Sequence, residues 1–226
     1  MDFSFLKNYY MFFLEGAKIT LLLAILTIFF GVIFGILLAL MRISHNPILK
    51  TISAAYIEFI RGTPIMVQLF IVYYGLSFIG ITFPDINVLG SSFPDLMAGV
   101  TALSINSAAY VAEIVRAGIQ AVDKGQMEAS RSLGLTYFMS MKSIILPQAI
   151  KNVLPALGNE FIAIIKESSI VSIIGIHELM YNTDMVRGNT FKPFEPLIVT
   201  AGIYFIITFS LSTIVRTLER RLKTSD

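Results

Sequence analysis

Long uncharged runs alternate with polar connections along this chain, and the runs have the length of bilayer crossings. A crossing helix needs roughly 20 mostly apolar residues. Ile19 to Met41 carries no charge and predicts the first crossing. Ile65 to Phe83 is also uncharged, and the apolar helical pattern from Thr51 to Ile60 places the start of this second crossing near Thr51. Gly62-Thr63-Pro64 interrupts it. Leu96 to Ala112 predicts a third crossing. Pro147 to Ile165 predicts a fourth, bent by Pro155 and Gly158, and Pro196 to Val215 the last. Ser168 to Ile176 is apolar but too short to cross unaided, so a re-entrant or buried helix is expected there. The pattern predicts an all-α polytopic membrane protein with five transmembrane helices, near 15–42, 51–78, 95–118, 147–166 and 195–218. It forms one domain over 1–226, with a long connection at 119–146.

Basic residues beside the spans set the orientation, because Lys and Arg near span ends stay in the cytoplasm. Arg42 and Lys50 flank the first connection, and Arg116, Lys124, Arg131, Lys142 and Lys151 lie in or beside the third. Arg216, Arg220, Arg221 and Lys223 crowd the C-terminus, whereas Leu76 to Asp95 has no Lys or Arg. The N-terminus is therefore expected outside and the C-terminus inside, with the 119–146 connection cytoplasmic. Residues 1–18 mix Asp2 and Glu15 with Lys7 and Lys18 and do not read as a cleaved signal peptide.

Composition agrees with the pattern. Of 226 residues, 55% are hydrophobic and 14% charged, with a mean hydropathy of +0.76. A soluble domain of this size cannot hide so much apolar surface. The net charge of +2 with dispersed basic residues argues against nucleic acid as a partner. Absence of Cys removes disulfides, thiolate metal sites and cysteine nucleophiles, and two distant His, His45 and His177, do not make a metal site.

Charges inside a span cost roughly 2.5–3.5 kcal/mol each, so they face a cavity or a partner. Glu58 and Arg61 stand three apart at the start of the second span and can pair on one face. The break after them can line a water-filled cavity, as broken helices in transporters do, or the two can be a structural ion pair. Asn159 and Glu160 sit mid-span with no basic residue one turn away. A ligand cation could neutralise Glu160, or Glu160 could lock a subunit interface. A ligand carrying both charges needs an acceptor for its cationic group and a donor for its anionic one. Glu160, Glu58 and Arg61 supply that set, with Asn159 and Gln68 as neutral hydrogen-bonders and Asp85, Thr183 and Asp184 as outer candidates. Lys166-Glu167-Ser168-Ser169 reads as a helix break with a serine capping the next helix. Glu113 and Arg116 are expected to pair, His177 and Glu178 to form an interfacial pair, and His45-Asn46-Pro47 to turn. Gly31 and Gly35 have the spacing of a close helix approach, or are chance glycines in a tolerant span.

Gln126 to Leu133 reads as a short cytoplasmic helix ended by Gly134. Glu128 and Arg131 can pair on its polar face, and Met127, Ala129 and Leu133 form an apolar edge. Such a helix can dock into a groove or simply seal the loop against lipid headgroups. The run Glu128-Ala129-Ser130-Arg131-Ser132-Leu133-Gly134, followed by Ile144 and Leu146-Pro147, resembles the EAA loop of permease subunits of ABC importers. Ser130 stands where that family usually has a second Ala. Arg61-Gly62-Thr63-Pro64 with Gln68-Leu69, and Lys166-Glu167-Ser168-Ser169 with Glu178-Leu179, resemble the polar amino acid subgroup, whose members are similar to histidine, glutamine and arginine permeases. The resemblance covers essentially the whole chain and implies a type I importer permease fold. It also implies that Glu128, Ala129, Ser130, Arg131, Leu133 and Gly134 contact a separate ATPase subunit.

The expected function is thus the membrane-spanning subunit of an ATP-driven amino acid importer. It would dimerise with an identical or homologous chain, above an ATPase dimer and below an extracytoplasmic binding protein. No Gly-x-x-x-x-Gly-Lys-Ser/Thr phosphate loop occurs, so ATP and Mg are expected on the partner and no cofactor on this chain. Two membrane carboxylates against one Arg favour arginine, lysine or histidine as substrate. A self-sufficient ion-coupled carrier is the alternative, though no inverted repeat is evident. An intramembrane hydrolase lacks a nucleophile with a base in reach.

Overall fold

The computed structural model describes residues 1–223. Its helices are α1 (Leu6–Ile43), α2 (Pro47–Arg61), α3 (Ile65–Phe78), α4 (Phe93–Gln120), α5 (Lys124–Ser132), α6 (Tyr137–Ser140), α7 (Leu146–Glu167), α8 (Leu179–Thr190) and α9 (Glu195–Lys223). A two-residue hairpin, β1 (Asn87–Val88) against β2 (Ser91–Ser92), lies between α3 and α4. Among the described residues, α1, α4 and α9 are each long and apolar enough to cross a membrane. α2 and α3 pass together but meet at 107°, so the interruption expected at Gly62-Thr63-Pro64 is a sharp corner. α7, at 22 residues, is about 33 Å long.

α4 is the centre of the fold, packing on α1 along its length and touching α2, α3 and α7. The α1 face turned inward carries Phe13, Ile19 and Leu23 toward its start and is otherwise made of small residues: Gly16, Thr20, Ala24, Thr27, Gly31, Gly35 and Ala39. Without a hydrophobic drive inside lipid, helices associate where backbones approach closely, and small side chains permit that. Gly31 and Gly35 meet α4 of the same chain: a Cβ on Gly31 would lie 2.6 Å from Ser107 Oγ, and one on Gly35 2.6 Å from Val111 Cβ. The serine hydroxyl can turn aside, but the valine branch point cannot. Gly35→Ala is therefore expected to cost about 1–3 kcal/mol by overpacking, more than Gly31→Ala. Thermal unfolding of the two variants in one detergent checks the order. The opposite faces are large and apolar, with Phe29, Phe34, Leu37 and Leu40 of α1 and Phe205, Ile206, Phe209 and Ile214 of α9 exposed.

α6 and α7 form one rod with a π turn at Met141–Ile145, just ahead of Pro147. Proline has no N–H to give the carbonyl four residues back, and π turns absorb such mismatches. The Gln148 side-chain amide also donates to Ile144 O at 3.0 Å. Past α7 the chain tightens into a 3₁₀ segment, Ser168–Ile174, with Val171 and Ile174 buried. This is the short buried helix expected. Its serines do not cap it: Ser168 Oγ donates to Ile165 O and Ser169 Oγ to Lys166 O. Hydroxyls bonded back to the preceding turn continue the helix instead of starting a new one. Asn46, in the expected turn, instead caps α2, its Oδ1 accepting from Ile48 N at 2.9 Å. The N-terminus is tied to the α8–α9 connection, where Lys192 Nζ donates to the Asp2 carboxylate. That ammonium holds the Asp2 carboxyl well below the usual carboxylate range.

Candidate functional site: a polar layer around the middle of α4

The α2–α3 corner follows from its residues. Pro64 is extended, with φ −63° and ψ 135°, and proline disfavours helical geometry in the residue before it. Pro64 also lacks the N–H that would bond Ile60 O in a continuous helix. Gln68 supplies the replacement. Its Nε2 donates to Ile60 O at 2.7 Å, to Thr63 Oγ1 at 2.9 Å and to Thr63 O at 3.1 Å. Its Oε1 accepts from Asn106 Nδ2 of α4 at 2.9 Å. Gln68 is 5% exposed, and both its amide protons are committed to the break. These bonds give Gln68, a ligand candidate on the sequence, a structural place at the break.

Asn106 and Ser107 are neighbours on α4 and therefore point about 100° apart around it. Asn106 reaches α3. Ser107 reaches α7, its Oγ donating to Glu160 Oε1 at 3.3 Å. Glu160 is half-buried, while Asn159 beside it is exposed. No ion pair to Glu160 is present among the described residues. Thr27 of α1 and Ser104 of α4 stand one turn earlier in their helices than the Gly31–Ser107 contact. Both are buried, with hydroxyls that have no hydrogen-bond partner. The middle of the bundle thus carries an unneutralised carboxyl group and unspent hydroxyls beside one helix.

The other candidates separate from this layer. Glu58 and Arg61 are both exposed and do not pair. The Arg61 guanidinium lies over the Tyr110 ring instead, 5.4 Å from its centroid. An exposed ion pair is worth a few tenths of a kcal/mol, and an aromatic face offers a cation at least as much. Glu113 and Arg116 do pair, one turn further along α4. Asp85 is exposed in the α3–β1 loop. Thr183 is buried and bonded to Leu179 O and to Thr200, and Asp184 pairs with Arg187 at 2.5 Å. None of these three reaches Glu160. A separate cavity of about 550 Å³ lies among Asp123, Gln148, Lys151, Asn152 and Glu219, away from the polar layer.

Glu178 is the residue sequence reasoning misplaced. It is fully buried and caps α8, accepting from Tyr181 N at 2.7 Å. It also accepts from Tyr204 Oη at 3.2 Å and Thr20 Oγ1 at 3.5 Å, joining α1, α8 and α9. His177 does not pair with it. The imidazole stacks on Tyr181, with centroids 4.3 Å apart, and partial burial lowers its proton affinity. The His177 backbone N–H donates to Ser91 Oγ, pinning the hairpin to this corner.

α5 lies across the end of α4, after the turn at Ala121–Asp123. Asp123 caps it, accepting from Gly125 N at 2.7 Å. Gly134 ends it at φ +88°, a left-handed conformation that glycine adopts without a Cβ penalty. Met127 packs inward beside Val122, Ile145 and Ala149, and Ser130 is buried with its hydroxyl on Met127 O. Glu128, Ala129, Arg131 and Leu133 face outward, Leu133 at 81% exposure. Glu128 and Arg131 do not pair, because the guanidinium donates to Leu135 O at 3.1 Å. Tyr137, Phe138 and Met139 extend the exposed apolar surface beyond Leu133.

This architecture and order of motifs have counterparts among known proteins. Residues 31–224 match the family described as binding-protein-dependent transport system inner membrane component. The chain is 42% identical to the Bacillus subtilis arginine transport system permease protein ArtQ, covering 100% of this chain and 99% of that one. It is also 42% identical to a Rickettsia bellii permease named for glutamine transport, over 94% and 93% of the two chains. A solved structure described as an amino acid ABC transporter with histidines superimposes with a TM-score of 0.89 at 48% identity, over 98% of this chain and 99% of that one. A methionine ABC transporter chain at 19% identity and a TM-score of 0.75 shares the fold. The chain belongs to the binding-protein-dependent inner membrane components, as the multi-pass permease subunit of a polar amino acid ABC importer.

Proposed function

We propose that this subunit lines the path of a basic amino acid, with Glu160 facing the substrate's cationic group. The observation that carries this reading is Glu160 itself. It is a half-buried carboxyl group in the middle of α7 whose one described partner is the Ser107 hydroxyl. A charge so placed is costly unless a partner arrives, and a cationic ligand is such a partner. Asn159, Glu58 and Arg61 would offer further contacts where exposed surfaces of the subunit meet the path. A relative named for arginine supports the basic assignment, while one named for glutamine stands against it.

In this reading five crossings place the N-terminus outside and the C-terminus in the cytoplasm. Two copies form the pathway, and an extracytoplasmic binding protein delivers substrate. ATP and Mg bind a separate subunit, which grips the outward face of α5. Because α4 carries Ser107 at its middle and leads through a three-residue turn into α5, displacement of α5 moves the group that holds Glu160. Energy reaches the site along one helix. An ion-coupled carrier would need no such exposed α5 edge.

Glu160→Gln keeps shape and hydrogen bonding but removes the negative charge. Loss of one charge partner in a low-dielectric site is worth about 2–3 kcal/mol. Arginine affinity is therefore expected to fall about 30- to 150-fold, with glutamine affinity changed less than threefold, in equilibrium binding to the purified transporter. Equal loss for both amino acids contradicts a role in recognising the cation.

A further inference from the structure

We propose that Gln68 and Asn106 form a clasp that makes the α2–α3 corner move with α4, so that one helix repositions both the corner and Glu160. This rests on the reading above, in which α4 transmits the motion of α5. Three observations support it. First, Pro64 deprives Ile60 O of its helical donor, and Gln68 Nε2 takes that donor's place while also binding both oxygens of Thr63. One side chain therefore closes both sides of the break. Second, the only other protein group on that amide among the described residues is Asn106 Nδ2, donated from α4 to Gln68 Oε1 at 2.9 Å. Both side chains are buried, Gln68 at 5% and Asn106 at 6% exposure, where an unmatched amide is penalised and the pairing is hard to exchange for water. Third, Tyr56 of α2 donates to Ile105 O, the residue before Asn106, at 2.8 Å. α2 and α3 are thus both fastened to the same turn of α4.

The consequence is geometric. Arg61 and Thr63 sit at the corner, and Glu160 is held by Ser107 on the adjoining face of that same turn. A tilt of α4 displaces the corner and the α7 carboxyl group together. Without the clasp, α4 could move under the force on α5 while the corner stayed behind. Gln68 and Asn106 act through other groups, so they are positioning residues and not substrate contacts.

Asn106→Asp is the sharpest variant. It keeps the size of the side chain but replaces the Nδ2 donor with a second acceptor, which faces Gln68 Oε1. Gln68→Met removes the amide at similar volume. In the complete transporter with its ATPase and binding protein, each variant is expected to lower amino acid imported per ATP hydrolysed at least about tenfold, since Asn106→Asp loses one buried hydrogen bond and Gln68→Met loses that one and those to the break. Assembly and ATP hydrolysis should persist. Gln68→Met combined with Asn106→Asp should lose no more than the worse single variant, because the two groups form one contact. Multiplicative losses, or an import-to-hydrolysis ratio equal to that of the unaltered protein, overturn the clasp. Failure of the unaltered protein to import with ATP would instead overturn the functional reading beneath it.

The chain contains no Cys, so a second measurement avoids altering the clasp. Spin labels at Met66→Cys on α3 and Ala117→Cys on α4, both exposed positions, report the separation of the corner from α4. The distance should be the same with and without ATP. A distance that changes between the two states overturns the proposal, even if the clasp variants fail to assemble.

Discussion

Leu133→Asp combined with Gly134→Val abolishes ATP-driven import while the subunit stays folded. Leu133 is 81% exposed, so aspartate there removes almost no packing within the chain. Gly134 sits at φ +88°, with open space where a side chain would begin. Valine at that angle is strained by about 1–3 kcal/mol and re-aims the chain leaving α5. Both changes fall on the outward edge that meets the ATPase in the proposed assembly. Removing an apolar anchor at such an interface costs about 2 kcal/mol or more. Loss of the Leu133 anchor alone weakens binding of the ATPase about thirtyfold, and the re-aimed chain at Gly134 weakens it further. Titration of the purified ATP-binding subunit against the solubilised permease measures this directly, and vesicle uptake should fall in step. ATPase binding within threefold of the unaltered protein, with the fold intact, would show that this edge is not the docking surface.

Glu178→Ala is expected to produce a large loss of stability, and Glu178→Gln a small one. The alanine variant removes the cap on α8, worth about 0.5–2 kcal/mol. It also leaves the half-buried Tyr204 hydroxyl without its acceptor, at about 1–3 kcal/mol. Thr20 is less affected, because its oxygen still accepts from Leu179 N at 3.2 Å. The sum is about 1.5–5 kcal/mol. Glutamine keeps Oε1 for Tyr181 N and places an amide Nε2 where the second oxygen stood, able to donate to Tyr204 Oη, so about 1 kcal/mol is expected from the lost charge-assisted bond. Thermal unfolding of both variants in detergent separates the cases. Equally mild effects would mean that the α1–α8–α9 junction is held by apolar packing around Phe13, Leu179 and Val186 and not by the carboxyl group.

Legibility in the sequence followed the range of the interaction involved. α1 and α9 are visible because a bilayer crossing is a property of composition over some twenty residues. The end of α5 at Gly134 and the break at Gly62–Pro64 are visible because glycine and proline act within one turn. The 107° corner was not visible, since the side chain that closes the break, Gln68, is itself held by Asn106, 38 positions away. Glu178 looked like a partner of His177 because nothing local marks it as buried. Thr20 and Tyr204, the groups that accommodate it, come from other helices. The four Asp/Glu–Arg pairs three apart are the most instructive case. Glu113–Arg116 and Asp184–Arg187 form, whereas Glu58–Arg61 and Glu128–Arg131 do not. The spacing permits a pair worth only tenths of a kcal/mol. A nearby tyrosine face or free carbonyl is enough to take the arginine away. Of the proposed ligand contacts, Glu160 was legible as an unpaired mid-span charge, and it is the one the fold leaves least compensated.

The most direct measurement is the side of the membrane on which α5 lies. With no Cys elsewhere, Ala129→Cys gives a single thiol on the outward face of α5, and a membrane-impermeant maleimide reports its location. The thiol should be unreactive in intact cells, reactive in inside-out vesicles, and shielded there once the ATP-binding subunit is added. Labelling from outside intact cells would invert the topology and remove the route by which ATP hydrolysis reaches Glu160.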